Sequence, residues 1–189
     1  MIRAATVQDA ERLVEIYGYY IENTAITYEY TVPSRDEFEG RIQKTLEAFP
    51  YLVAEEDGVI LGYAYAGRFH PRKSFDWAAE GTVYICKDAR GKGVGPALYA
   101  VLEECLRRQG FSKLYASIAY TQTEDEYLTK NSVQFHAHMG YSQVAHFPGC
   151  ACKFGRWYDL VWMEKKLQDL PNAPAPVKIF DEIRDQMDL

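Results

Sequence analysis

The stretch from Glu80 to Pro96 constrains this chain more than any other. Thr82 to Cys86 has the β-branched and aromatic character of a buried strand. A loop with glycine at alternate positions follows, Gly91, Gly93 and Gly95. It opens into a helical pattern in which Leu98, Val101, Leu102, Cys105 and Leu106 share one face, and Gly110 ends the run. Glycines ahead of a helix start let successive N–H groups turn toward one point. The helix dipole adds partial positive charge there, which suits a phosphate.

The pattern excludes two common phosphate ligand classes. A dinucleotide fingerprint needs a third glycine further on, where Pro96 or Leu98 stands, and no acidic residue ends the next strand pattern, Leu114 to Ala119. A P-loop needs Gly-Lys-Ser/Thr after a four-residue gap, which is absent. Among 189 residues the formal net charge is -6. That balance argues against nucleic acid as a partner, since such binders carry a basic face. No apolar run has the length of a membrane span, and the residues after Met1 do not form a signal peptide, so the expected location is cytoplasmic. The four cysteines, Cys86, Cys105, Cys150 and Cys152, are expected to be reduced. Cys150 and Cys152 lie near His146, but one intervening residue is not the usual zinc spacing, so no metal is expected.

Taken in order, Ile2 to Ala5 reads as a strand and Thr6 as the cap of a helix with Ala10, Leu13, Val14, Tyr17, Tyr20 and Ile21 on its buried face. Asn23 to Pro33 is a polar and aromatic connection, and Ser34 opens a second helix reaching about Phe49. Tyr51 to Glu56 and Val59 to Ala66 are strands around Asp57-Gly58, a hairpin signal. A mixed loop, Gly67 to Ala79, leads to the central strand. After the strand at Leu114 to Ala119 comes a polar loop. Asn131 is positioned to cap a short helix ending at Gly140. Ser142 to Phe147 and Lys153 to Glu164 read as two closing strands separated by a Pro-Gly turn. Residues 1–167 form one domain. Residues 168–189 change to a proline-rich connector with a short amphipathic tail, packing on the body or on a partner subunit.

Arg90-Gly91-Lys92-Gly93-Val94-Gly95 resembles the pyrophosphate-binding signature of the GNAT acetyltransferases. Tyr51 to Glu55, Gly62 to Gly67, Phe75 to Glu80, Thr82 to Ile85 and Phe154 to Asp159 are similar to the branch of that family acting on phosphinothricin and L-amino acids. The resemblance covers roughly residues 1–167. It implies the α/β (α+β) GNAT acyl-CoA N-acyltransferase fold: a mixed, mostly antiparallel sheet flanked by helices and splayed near its middle. It also implies acetyl-CoA as cosubstrate, a small amino acid or analogue as acceptor, and a homodimer. By this resemblance, backbone groups of Val83, Tyr84 and Ile85 contact the pantetheine arm. Arg90 to Pro96, including Gly91, Lys92, Gly93, Val94 and Gly95, holds the pyrophosphate. Asn131 and Ser132 supply one further CoA contact.

The chemistry of amine acetylation asks for a base, an oxyanion donor and a proton for the departing thiolate. Glu80, at the start of the central strand, is the expected general base, provided burial raises its pKa or water relays the proton. The backbone N–H of Ile85 is the expected oxyanion donor. His136 is the candidate acid, an imidazole of ordinary pKa able to give a proton at neutral pH. Its alternative is a half-buried helix histidine bonded locally. Tyr28, Arg72 and Phe75 match the branch's acceptor pocket, the guanidinium clamping an acid group. Within the same fold, a polyamine or a protein or peptide amine is the alternative acceptor. From another class, the chain would be a catalytically silent acyl-CoA sensor, which Glu80 beside a complete glycine loop argues against.

Overall fold

The computed structural model describes residues 1–187 and Leu189. Seven strands form one sheet: β1 (Ile2–Ala4), β2 (Tyr51–Glu56), β3 (Val59–Arg68), β4 (Ala78–Ile85), β5 (Lys113–Tyr120), β6 (Ser142–Lys153) and β7 (Arg156–Lys166). Their order is β1-β2-β3-β4-β5-β7-β6, and the β4–β5 pair alone is parallel. Helices α1 (Ala10–Asn23) and α2 (Arg35–Leu46) cover one face of the β2–β4 half. Helix α3 (Val94–Gln109) lies on the opposite face, with α4 (Asn131–His138) beside β5 and a short α5 (Asp181–Arg184) near the C-terminus.

Alternation along the strands decides which face each residue serves. Leu52, Ala64, Ala79 and Leu114 turn toward α3 and meet Leu98, Leu102 and Leu106, all fully buried. Each such leucine contributes about 1.5–3 kcal/mol of hydrophobic stabilisation. Tyr51, Val53 and Tyr63 turn the other way and pack on Leu13, Ile16, Tyr17, Phe38 and Ile42. Ser34 accepts a hydrogen bond from Glu37 N–H at 3.1 Å, fixing the start of α2. Asp57 and Gly58 both take positive φ, as a two-residue type I′ hairpin loop requires.

The central strand starts earlier than its β-branched run suggests. Ala78, Ala79 and Glu80 pair in parallel with Lys113, Leu114 and Tyr115, so Glu80 lies inside β4 and not at its start. Beyond that register the two strands run on without pairing, to Ile85 and Tyr120. This parting is the splay.

The last hairpin also differs. The turn between the closing strands is Phe154-Gly155, both with positive φ, and not Pro148-Gly149. Pro148-Gly149 falls in an irregularity of β6 between Phe147 and Ala151. Asn131 is the first helical residue of α4, and Lys130 stands in the cap position. Thr6 precedes a single 3₁₀ turn; its N–H and hydroxyl donate to Asp9, whose carboxylate also receives Arg3 at 2.8 Å.

Candidate active site

The glycine loop is shaped by backbone geometry. Gly91 and Gly93 have φ of 73° and 82°, the left-handed region that an L side chain adopts only with strain. Gly93 is the N-cap of α3, so the first N–H groups of that helix face outward unpaired. Gly95 is needed for a different reason: a Cβ there would stand 3.3 Å from the Phe135 ring. Loop, helix start and the free half of β4 enclose a cavity of about 530 Å³. Arg90, Gly91, Gly93, Val94, Gly95 and Pro96 line it, with Asn131 and Ser132 across from them. Lys92 is exposed and is not part of this wall. The Arg90 guanidinium lies over the Tyr20 ring at 4.8 Å, which holds its charge beside the loop.

The cavity runs into a narrow slot between the parted strands. Ile26, Val83 and Ser132 line both, and Thr82, Ser117, Tyr99 and His136 continue the slot. In an antiparallel pair, the N–H and C=O of one residue point the same way and alternate along the strand. Cys86 N–H donates to Leu61 C=O on the β3 side. Alternation therefore turns Val83 and Ile85 toward the gap and the Tyr84 backbone toward β3. Tyr84 is accordingly not an arm contact through its backbone; its ring faces α1. The Tyr20 hydroxyl donates to Ile85 C=O at 2.6 Å and receives Ile85 N–H in a long 3.3 Å contact. Ile85 N–H is thus only weakly held.

Glu80 sits half-buried where the strands part. Among the described residues it makes no ion pair or side-chain hydrogen bond, and burial alone raises its pKa above the ordinary carboxylate value. The loop before it brings an aromatic group close. Phe69 stacks on Tyr115 at 4.2 Å, and Tyr115 is the register partner of Glu80. Phe75 packs on Phe69 and His70, at 6.0 and 4.5 Å, and Arg72 in the same loop is exposed and makes no ion pair among the described residues. Tyr28 is seated apart from that loop. Its hydroxyl donates to Asp159 C=O at 2.6 Å, and its ring packs with Ala119 and Tyr158.

His136 departs from its sequence expectation. It is 4% exposed, and its Nδ1 lies 2.7 Å from Ser132 C=O, which accepts the N–H. Its Nε2 lies 3.0 Å from the Tyr99 hydroxyl. Burial pushes the imidazole down to about 4, against the opposing pull of the Ser132 carbonyl. The ring is therefore neutral at pH 7, with both nitrogens engaged, and does not have the ordinary pKa on which a role as proton donor was argued. Tyr99 and Tyr20 are the site residues that sequence reasoning missed. Tyr20 was legible only as a buried helix position, and Tyr99, three before Leu102 and seven before Leu106, shares the apolar face of its helix and carries no signal beyond packing. His146 Nε2–H donates to the Asp159 carboxylate at 2.7 Å, all four cysteines are free thiols, and no group of three ligating side chains comes together among the described residues.

The site is thus a cavity at a glycine-lined helix start, running into the gap between two parting strands, with a carboxylate where they separate. The profile of the acetyltransferase (GNAT) domain matches residues 2–162. Phosphinothricin N-acetyltransferase of Streptomyces viridochromogenes is 30% identical over 96% of this chain and 95% of its own length. L-amino acid N-acyltransferase MnaT of Escherichia coli is 32% identical, over 92% and 98%. A crystal structure of a phosphinothricin acetyltransferase from Sinorhizobium meliloti in complex with acetyl-CoA superposes with a TM-score of 0.83 at 28% identity, covering 95% of this chain and 97% of that one. The chain belongs to the GNAT acetyltransferase family and is an acetyl-CoA-dependent N-acetyltransferase.

Proposed function

We propose that this enzyme acetylates the amine of a small amino acid or analogue, of the phosphinothricin or methionine sulfone and sulfoximine type, with Glu80 as general base. The observation that carries the mechanism is the placement of Glu80: half-buried, without a cation, at the point where β4 leaves β5. Acetyl-CoA supplies the activated acyl group when bound. The chain's own residues do the rest. Glu80 takes a proton from the acceptor's ammonium, directly or through water, freeing the nitrogen lone pair. Ile85 N–H, held only by the long Tyr20 contact, donates to the carbonyl oxygen as negative charge grows there. The proton lost from nitrogen reaches the leaving thiolate by way of Glu80 and water. His136 positions Tyr99 at the slot wall and does not itself give a proton.

For the acceptor, Arg72 clamps the acid group and Phe75 bounds the stem; Tyr28, its hydroxyl on Asp159 C=O, stands apart from the two and makes no contact with the stem. The names of the two relatives support this class, as does the aromatic loop stacked against the register partner of Glu80. Val144, Phe147 and Trp157, about half or more exposed on β6 and β7, support a homodimer that covers them. The four free thiols support a cytoplasmic location. Among the described residues, no helix is long and apolar enough to cross a membrane.

The test is thiol release from acetyl-CoA against a panel of amino acids, their sulfone, sulfoximine and phosphinate analogues, polyamines and peptides. The acid analogues are expected to be the best acceptors. Arg72→Ala should raise their KM roughly ten- to a hundredfold, the equivalent of about 1.5–3 kcal/mol of lost charged hydrogen bonding, with kcat little changed. Faster acetylation of polyamines or peptides, together with an unaltered KM in Arg72→Ala, would overturn the assignment.

A further inference from the structure

Residues 68–77, which lead from the end of β3 to β4, carry Arg72 and Phe75. Most of what shapes this loop is internal. Phe75 N–H donates to Arg72 C=O at 3.0 Å, Asp76 N–H to Lys73 C=O at 3.1 Å, and Arg72 N–H to His70 Nδ1 at 3.2 Å. Arg68 and Asp76 close its base as an ion pair at 3.0 Å. Outside anchors stand only at the two ends. Phe69 stacks on Tyr115 at one end. At the other, Trp77 C=O accepts Ser112 N–H at 2.9 Å, and Trp77 Nε1–H donates to Ala175 C=O at 2.8 Å. Among the described residues, the indole bond is the one side-chain hydrogen bond between this loop and the rest of the chain.

Its partner is equally short of other ties. Residues 170–177 cross the surface as a strap, with Pro171, Pro174 and Pro176 among them. The strap is fixed before it begins, by Leu167 N–H on Ser112 C=O and Gln168 Nε2–H on Phe111 C=O, both at 2.8 Å. It is fixed again after it ends, by Lys178 N–H on Gln109 C=O and Phe180 N–H on Ala48 C=O. Between those points, among the described residues, its hydrogen bond to the body is the one from Trp77. Proline gives the strap its use. A residue before proline is held extended, so Pro176 fixes the backbone of Ala175, and an extended proline-rich run leaves its carbonyls free to accept. Side-chain packing does not set the spacing of loop and strap. A gap of about 140 Å³ separates them, with Arg68, Asp76 and Ala78 on one side and Val177 and Ile179 on the other.

We infer that the strap is a positioning element for the acceptor loop: through Trp77 on Ala175 it holds Arg72 and Phe75 in the pose that receives the acceptor. The inference rests on the acceptor reading proposed above. Trp77 touches no substrate and acts through the loop it ends. Its C=O remains on Ser112 whatever the indole does, so the start of β4, and Glu80 with it, stays in place. The strap therefore governs acceptor affinity and leaves the acyl step and the acetyl-CoA cavity alone.

Two variants of the full chain test this from opposite sides of the bond. Trp77→Phe keeps a ring and removes the donor; Pro176→Gly keeps the donor and loosens Ala175. Each should raise the acceptor KM about three- to tenfold, the loss of a single neutral hydrogen bond. In each, kcat and the acetyl-CoA KM should move less than about twofold, a split that general loss of stability would not produce. Without substrate, tryptic cleavage after Arg72 and Lys73 should quicken several-fold in both. An acceptor KM equal to the parent's in both variants would overturn the inference, even with quickened cleavage. So would an acetyl-CoA KM raised as much as that of the acceptor. A KM raised in Arg72→Ala and in neither strap variant defeats the strap and leaves the acceptor reading standing. A KM unaltered in Arg72→Ala defeats that reading, and the strap then stands or falls on its own two variants.

Discussion

Glu80 has a raised pKa because burial disfavours its charge and no cation compensates. A base works in its deprotonated form, so kcat/KM should climb with pH through a limb lying above the ordinary carboxylate range. Glu80→Gln should remove that limb and lower turnover by roughly a hundred- to ten-thousandfold, while acetyl-CoA still binds. Near-normal turnover in that variant would move the base elsewhere. The buried imidazole of His136 carries a stability signature of opposite origin. Its folded pKa, about 4, lies below the ordinary histidine value. Between the two, the unfolded chain binds a proton that the folded chain refuses, so the contribution present above the ordinary value is lost as pH falls toward 4. The full loss is about 3 kcal/mol by proton linkage. Denaturant unfolding at pH 7 and near pH 4 should show His136→Gln losing less stability on acidification than the parent, by that order. Parallel losses in the two proteins would rule out His136 as the source. Glu80 as a candidate was legible in the sequence because its neighbours are local. The neutral state of His136 was not, because it is made by burial, and the elements that bury the ring lie far away in the chain, Tyr99 among them.

The loop between β4 and α3 works through its backbone, and this separates two substitutions that look equally close to the cofactor. Gly93→Val must hold a β-branched residue at φ 82° or shift the start of α3. Lys92→Ala removes an exposed charge that is not part of the cavity wall. Calorimetry should show acetyl-CoA binding weakened about tenfold or more in the first and less than about threefold in the second, since one solvated charge contributes little. Equal affinity for the parent and Gly93→Val would displace the pyrophosphate from this loop. The same distinction between local and non-local causes explains what could be read of the elements. The α3 pattern, its stop at Gly110 and the Asp57-Gly58 hairpin are set by residues within a few positions. The early start of β4 is not, because Ala78 to Glu80 become strand through parallel pairing with β5 and, for Ala79 and Glu80, antiparallel pairing with β3. The final turn misled for a related reason. Phe154 carries no turn signal, whereas Pro148-Gly149 does, yet the register of β6 on β7 absorbs the latter as an irregularity.

At the scale of the whole molecule, the residues after Leu167 are the segment whose place the sequence left open. Their composition marks a change, but their docking partners lie far back in the chain. Trp77 Nε1–H donates to Ala175 C=O at 2.8 Å, and Lys178 N–H donates to Gln109 C=O at 2.8 Å. Gln109 Nε2 donates to the carbonyls of both Ala48 and Lys178, tying α3, the end of α2 and the tail together. Phe180 and Ile183 are 0% and 1% exposed and belong to the same cluster as Leu106 and Phe111. The segment therefore closes the α3 side of the core. Ending the chain at Leu167 would expose that cluster and unseat Gln109. The two lost side chains alone amount to about 3–6 kcal/mol of hydrophobic stabilisation, against a typical total of about 5–15 kcal/mol. The truncated protein should unfold at markedly lower denaturant or fail to stay soluble. Because truncation confounds folding with solubility, Phe180→Ala in the full chain provides the second reading, with an expected cost of about 3–5 kcal/mol for a large-to-small change in a packed core. An unfolding midpoint equal to the parent's in both proteins would mean that the tail rests on the body without being part of its core.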